Sequence, residues 1–145
     1  MAYLKELTLT YKRKRVDDDL LNKPVKTAKQ VYKLFKEMEN EAREKLVVLH
    51  LNPQLEILSY EVAALWAWNS AILDIAWIYR GILLSWASSV VVVHNHPLWN
   101  SKPSKLDLKS YNALVAWGEP YAIKVLDFII IWEDWYFSFD ENAMI

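Results

Sequence analysis

The chain of 145 residues contains no cysteine and only two glycines. Without cysteine it can form no disulfide, no thiolate zinc site and no cysteine nucleophile, so any bound metal must use His, Asp, Glu or water. An excess of charge of either sign is also lacking, because 17 basic residues are balanced by 18 acidic ones. We therefore expect no strong autonomous binding of nucleic acid.

Long apolar runs are missing as well. The longest stretch without Asp, Glu, Lys or Arg, residues 81–101, includes two His, two Asn and one Pro, so we expect no membrane-spanning helix and no membrane partner. The amino terminus lacks the basic and then apolar layout of a signal peptide, and we expect a cytoplasmic protein. With 54% hydrophobic residues, the chain can still bury a sizeable core of one domain.

Hydrophobic periodicity predicts one α/β domain with a central sheet. The strands are expected at residues 4–11, 46–51, 56–63, 88–94, 123–131 and 135–139. The helices are expected at residues 27–41, 74–85 and 104–117, with Thr27 as the cap of the first and Gly118 closing the last. The continuous β-branched run Val90 to Val93 indicates a strand that is buried on both faces.

Residues 1–26 are expected to form an amino-terminal strand and a charged connector ahead of a domain at 27–145. Four consecutive basic residues, 12–15, are followed by three Asp, 17–19, which indicates a solvated and self-neutralising segment; a nucleic-acid arm is the alternative. Because the strand at 4–11 could pair between copies of the chain, a homodimer is left open.

Two histidines at the end of the buried strand indicate a metal site. His94 and His96 are separated by one residue, so their side chains leave on the same face, and the loop that follows can return the carboxylate of Asp107 beside them. Two imidazoles, one carboxylate and an open fourth position are the layout of a catalytic zinc site. The pattern is weak by itself, since Ser104 and Asp107 also have the spacing that caps a helix.

The longer string resembles a known family. His94-Asn95-His96-Pro97, followed by Pro103-Ser104 and then Asp107, is similar to the HNHP, PS and D pattern of the RadC-like branch of the JAB/MPN metalloprotease superfamily. The resemblance extends from the helix capped at Thr27 to residues 136–139. It implies a JAB/MPN-like α/β fold, a single domain with a mixed central sheet and flanking helices.

The resemblance also implies roles for five residues. Zn²⁺ would be held by His94, His96 and Asp107, and Glu44 would act as general base and then general acid. Ser104 would donate a hydrogen bond to the oxyanion. Two simpler interpretations stay open, in which Glu44 is a surface acid and Ser104 is only a helix cap.

The implied activity is a zinc-dependent hydrolysis of an amide or isopeptide bond, with a peptide or isopeptide as substrate. A different class of function is a non-enzymatic accessory protein in DNA repair or mobile-element biology. A metal-dependent nuclease is a third interpretation, although a single His/His/Asp site offers no second metal for the usual two-metal displacement.

The eight tryptophans outnumber the two glycines, whereas about ten glycines are usual for this length. Trp99 and Trp135 stand where relatives of the resembled family carry glycine, and Trp66 lies in a region that usually contains it. We hypothesise that some or all of the tryptophans are UGA codons that the source organism translates as glycine. The alternatives are an engineered aromatic surface or ordinary tryptophans packed in the core or at an interface.

Overall fold

The computed structural model describes residues 1–66, 73–97 and 102–145, and its elements alternate as the periodicity predicts. The strands are β1 (Glu44–Leu51), β2 (Ile57–Trp66), β3 (Ser89–Asn95), β4 (Lys124–Trp132) and β5 (Trp135–Ser138). The helices are α1 (Asp18–Leu21), α2 (Ala28–Phe35), α3 (Ile75–Leu84) and α4 (Lys105–Gly118), and 3₁₀ segments follow α2 at Lys36–Asn40 and α4 at Glu119–Tyr121. The predicted α/β class is confirmed.

The five strands form one mixed sheet in the order β2-β1-β3-β4-β5. β1 is antiparallel to both β2 and β3, β3 is parallel to β4, and β4 and β5 form an antiparallel hairpin. Every residue of β3 is buried, which is the reason that this strand is built from consecutive valines. The mixed sheet implied by the family resemblance is therefore confirmed.

Helices cover both faces of the sheet, and successive residues of the central strands alternate between them. On one face, α3 and α4 pack over a core that includes Val48, Val90, Val92, Phe128 and Ile130. On the other face, α2 packs over Val47, Leu49, Val91, Val93 and Ile129. Since His94 follows Val90 and Val92 at intervals of two residues, its side chain leaves on the face of α3 and α4.

Thr27 caps α2 as predicted. Its hydroxyl accepts a hydrogen bond from the backbone N–H of Gln30 at 3.3 Å, and the side-chain oxygen of Gln30 accepts one from the N–H of Thr27 at 3.0 Å. This reciprocal box satisfies two backbone donors at the start of the helix. The helix tightens into the 3₁₀ segment after Phe35, and a short connection then leads into β1.

The strand predicted at residues 4–11 is not formed in this chain. Residues 1–15 are all exposed, adopt no regular secondary structure and make no hydrogen bond. A strand requires a neighbouring strand that accepts and donates its backbone hydrogen bonds, and no edge of this sheet pairs with the segment. The segment thus has the alternation of a strand but pairs with none of the residues in the ranges 1–66, 73–97 and 102–145.

α4 ends at Gly118, as the sequence predicts, but this glycine does not take the left-handed conformation that usually closes a helix. Its φ of −75° is helical, the 3₁₀ segment continues beyond it, and Ala122 takes the left-handed conformation with a φ of 54°. A Cβ atom at residue 118 would clash with the carbonyl oxygen of Ile123 and come within 2.7 Å of the hydroxyl of Tyr79. Glycine is therefore required here by close packing and not by the end of the helix.

None of the helices within the described ranges has the length and apolar character needed to cross a bilayer.

Candidate metal centre

The end of β3 and the first turn of α4 bring His94, His96 and Asp107 together. One possible ligand atom from each residue lies within 4.8 Å of the others. The Nδ1 atom of His94 is 3.0 Å from Oδ1 of Asp107, and the Nε2 atom of His96 is 3.2 Å from its Oδ2. The three side chains are 3%, 9% and 4% exposed, so all three predicted ligands converge in a nearly closed place.

Backbone pairing holds the two imidazoles on one side of the sheet. β3 ends at Asn95, but the N–H of His96 still donates to the carbonyl of Ile131 in β4 at 2.9 Å. This hydrogen bond continues the strand geometry by one residue, so His96 projects on the same face as His94. The ring centroids are 4.9 Å apart and the ring planes are perpendicular, which aims nitrogens of both rings at the same carboxylate.

The carboxylate of Asp107 is oriented by the cap of its own helix. Oδ2 accepts hydrogen bonds from the backbone N–H of Ser104 at 2.7 Å and from its hydroxyl at 2.8 Å. The Ser104 hydroxyl in turn accepts from the N–H of Asp107 at 3.0 Å. The same hydrogen bonds therefore cap the helix and orient the proposed metal ligand, because the cap turns the Asp107 carboxylate toward the histidines.

Ser104 lies beside the cluster, but its hydroxyl proton is directed at Asp107. In this arrangement the hydroxyl serves the helix cap, so donation to an oxyanion would require it to rotate. The catalytic role of Ser104 stays a prediction.

Glu44 lies at the rim of the cluster as the first residue of β1. Its Oε2 atom is 3.6 Å from Nε2 of His94, and its side chain is 45% exposed. The structure thus brings this glutamate next to the predicted metal ligands from a position 50 residues earlier in the chain. It touches the cluster on one side and solvent on the other, which is the placement that a group exchanging protons needs.

The charges of the cluster are strongly coupled. Burial raises the pKa of Asp107, but hydrogen bonds from His94 and His96 outweigh this effect and hold the pKa well below its usual range. Burial lowers the pKa of His94, whereas the carboxylates of Asp107 and Glu44 raise it and prevail. Contact with His94 lowers the pKa of Glu44. The two carboxylates thus stay ionised and favour a positive charge between them, carried by a proton or by a metal.

The donor set fits zinc. Zinc takes imidazole nitrogen and carboxylate oxygen at about 2.0–2.1 Å in a tetrahedron, which places neighbouring ligand atoms about 3.3 Å apart. The three residues offer two imidazole nitrogens and one carboxylate oxygen within 4.8 Å of one another. Three protein ligands also leave a fourth position, which is typical of catalytic rather than structural zinc sites.

Sequence reasoning assigned no role to Asn95, which lies between the two histidines. Its amide is buried and contacts the segment that leads into β1. The only signal in the sequence was the HNHP string itself. Trp99, which stands where relatives of the resembled family carry glycine, lies outside the described residues.

Comparison with known proteins places this cluster in a family context. The family model of the RadC-like JAB domain matches residues 25–144. A UPF0758 protein of Methanosarcina mazei is 30% identical over 122 residues, which is 83% of this chain and 53% of that protein. UPF0758 proteins of Methanosarcina acetivorans and Chlorobium chlorochromatii are each 32% identical, over 81% and 73% of this chain. The chain spans about half the length of these relatives, 48–53%.

Proposed function

Since this chain belongs to the RadC-like JAB domain family, we propose that it is a zinc-dependent hydrolase that cleaves an amide or isopeptide bond. One observation carries the proposal: His94, His96 and Asp107 place their ligand atoms within 4.8 Å of one another, with Glu44 3.6 Å from His94. This is a three-ligand site with an adjacent, partly exposed carboxylate. Such a combination suits hydrolysis by an activated water.

His94, His96 and Asp107 would hold the zinc ion, since their ligand atoms lie within 4.8 Å of one another and their side chains are at most 9% exposed. When bound, zinc supplies a Lewis acid that makes a water nucleophilic near neutral pH. Ser104 keeps Asp107 in its ligating orientation through the capping hydrogen bonds to Oδ2. An outer partner of this kind is known to matter for the affinity of metal sites.

Glu44 moves the proton. The Glu44 carboxylate lies 3.6 Å from Nε2 of His94 and is partly exposed, so a water at the cluster is within its reach and can give it a proton. The same carboxyl then delivers this proton to the nitrogen of the leaving amine, which cannot depart as an anion. The exposed half of the Glu44 side chain lies where a substrate can approach, and a peptide or isopeptide provides the nitrogen that has to be protonated.

Glu44→Gln tests the proposal, because glutamine keeps the shape of the side chain but cannot accept the proton. We expect zinc to remain at one per chain and turnover to fall by roughly 10²–10⁴-fold. Turnover is measured with quenched peptides and isopeptide-linked peptide pairs, and zinc by elemental analysis. Glu41→Gln is the matched control, since this exposed glutamate pairs with Lys45 and is outside the cluster; its turnover should equal that of the original chain.

Other outcomes have distinct meanings. An unchanged rate in the Glu44→Gln protein would remove Glu44 from the mechanism, and loss of zinc would make it a ligand. If His96→Ala still bound one zinc per chain, the metal assignment would be wrong. Zinc at one per chain with turnover of neither peptides nor DNA would favour the accessory function instead.

A further inference from the structure

Asn95 lies between the two histidines in the chain, and its side chain projects from the opposite face of the sheet. Because side chains alternate along a strand, the Asn95 side chain leaves on the face opposite to His94. It is 1% exposed, and its hydrogen-bonding capacity is used on both sides of the amide. Oδ1 accepts from the backbone N–H of Lys45 at 2.6 Å, and Nδ2 donates to the carbonyls of Arg43 at 3.0 Å and of Met38 at 3.1 Å.

These hydrogen bonds fix the backbone on both sides of Glu44. Arg43 and Lys45 are its two neighbours in the chain, so one amide side chain binds the backbone immediately before and immediately after it. The third contact, to Met38, ties the same amide to the 3₁₀ segment that precedes β1. No other common side chain of this size combines one acceptor with two donors, so Asp or Ser at residue 95 could make only some of these bonds and Ala could make none.

The amide acts where regular pairing ends. The ladder between β1 and β3 begins at Leu46, which pairs with His94, so Glu44 and Lys45 lie beyond the last backbone pair on that side. At this point the N–H of Lys45 donates to a side-chain oxygen instead of a backbone oxygen. The Asn95 side chain thus attaches β1 to β3 beyond the last backbone pair. This attachment extends as far as Glu44, the residue that contacts His94.

We infer that Asn95 is a positioning residue that sets the distance between Glu44 and the metal ligands. The inference rests on the proposed role of Glu44 as the proton carrier. The Asn95 side chain faces away from the cluster and binds the backbone on either side of Glu44, while its chain neighbours, His94 and His96, are the proposed metal ligands. The tripeptide His94-Asn95-His96 therefore contains two proposed metal ligands and the residue that positions Glu44. The end of β3 thus sets the position of Glu44 relative to the metal ligands.

Asn95→Ala tests this inference in the full chain with zinc. We expect zinc to stay at one per chain and KM to change little, while kcat falls by roughly 10²-fold, the cost of misplacing a reacting group by about 1 Å. In the Glu44→Gln background the same substitution should cost nothing further, because the residue acts only through Glu44. An equal loss of kcat in both backgrounds would overturn the inference.

A second measurement does not require turnover. In the zinc-free chain, amide hydrogen exchange of Lys45 should be about tenfold faster in Asn95→Ala, since its N–H loses its acceptor. Unchanged exchange at Lys45 would contradict the inference even if the chain proved to be a hydrolase. Faster exchange without any hydrolase activity in the original chain would leave the attachment of β1 intact as a finding and remove only the proposed function.

Two further variants control for general destabilisation. Asn52 lies in the turn at the opposite end of β1, where Oδ1 accepts from the N–H groups of Gln54 and Glu56 at 3.0 and 2.9 Å. Asn52→Ala removes a comparable amide bridge and should leave kcat unchanged. Asn95→Ser places a neutral hydroxyl at this position, which can make at most part of the three bonds, so it serves if Asn95→Ala fails to fold. Its kcat should still be lower than that of the original chain, and full kcat in Asn95→Ser would overturn the inference.

Discussion

Trp86 ends α3 in a backbone conformation that tryptophan rarely adopts. Its φ is 62°, and its side chain is 88% exposed. The residue directly follows the helix cap Ser85, and its N–H donates to the carbonyl of Leu83 at 3.3 Å. This is the left-handed position after a helix at which glycine is usual. Among the described tryptophans only Trp86 has a positive φ, and in the β4–β5 turn that conformation is taken by Asp134.

Trp86→Gly should raise the free energy of unfolding by about 1 kcal/mol, because glycine adopts the left-handed region without the steric cost of a Cβ. Chemical denaturation measures this change. Trp77→Gly is the control inside α3, where glycine weakens the helix and should lower the free energy of unfolding by about 1 kcal/mol. If Trp86→Gly were destabilising too, the exposed indole would have a packing role that its position does not suggest.

The hypothesis that the tryptophans are recoded glycines stays a prediction. Peptide mass spectrometry of the protein from its source organism decides it at each position. Glycine at residue 86 would agree with the backbone of α3, whereas tryptophan at residues 99 and 135 would end the general hypothesis.

Because His50 is buried, we expect the free energy of unfolding to fall in acid. Burial lowers its pKa from 6.5 to about 4, with Nδ1 2.9 Å from the hydroxyl of Ser59. Between these two pKa values the unfolded chain binds a proton that the folded chain does not, so stability falls as the pH drops below 6.5 and rises with pH in this window. From pH 7 to pH 5 the original chain should lose about 2 kcal/mol more than His50→Gln. Parallel pH profiles of the two proteins would exclude His50 as the cause.

At the scale of elements, the start of α4 combines two tasks that can be separated. Ser104→Ala removes the side-chain cap and should lower the free energy of unfolding by about 1 kcal/mol. It also frees the carboxylate of Asp107, so zinc affinity should fall by about 10–100-fold, as for the loss of an outer-shell partner. Zinc competition with a chromophoric chelator measures the second effect.

The matched control is the other capping box of the chain. Thr27→Ala removes an equivalent bond at the start of α2 and should cost similar stability with no change in zinc affinity. Ser104→Thr, which keeps a hydroxyl, should retain both properties. If Ser104→Ala bound zinc as tightly as Thr27→Ala, the cap would not orient the metal ligand.

At the scale of the whole molecule, the exposed amino-terminal segment and the open edge of the sheet are complementary. Leu7, Leu9 and Tyr11 alternate on one face of the segment and are 62–85% exposed. β2 is the longer of the two edge strands, and its residues Leu58, Tyr60 and Val62 are 40–44% exposed. Because the segment and the edge belong to the same chain, two copies could exchange segments symmetrically.

We therefore expect a homodimer that depends on the segment at residues 4–11. Analytical ultracentrifugation of the full chain should show a dimer, and Leu9→Asp should shift it to a monomer by placing a charge on the apolar face. Thr8→Asp, which alters the opposite face, should leave the dimer unchanged. A monomer at all concentrations, with or without protection of the segment from hydrogen exchange, would exclude pairing between copies.

Local patterns were sufficient for much of this protein. Alternation and helical periodicity predicted all five strands of the sheet and the helices α2 to α4, since burial of apolar side chains dictates both periods. The valine run predicted a strand buried on both faces. The spacing of His94 and His96 predicted a shared face, because strands have a period of two residues. Spacing within one segment is a local property, so it can be recognised without the fold.

Only the tertiary structure decided which distant residues meet. Glu44 reaches His94 because β1 and β3 pair, and Asn95 binds Arg43 and Lys45 across the same junction. The sequence indicates the end of α4 at Gly118, but only the fold shows that glycine is needed there because the backbone near Ile123 packs against it. The segment at 4–11 carries the alternation of a strand and forms none, since pairing requires a partner that alternation cannot supply. Contacts between residues far apart in the chain depend on register and packing, which no single segment encodes.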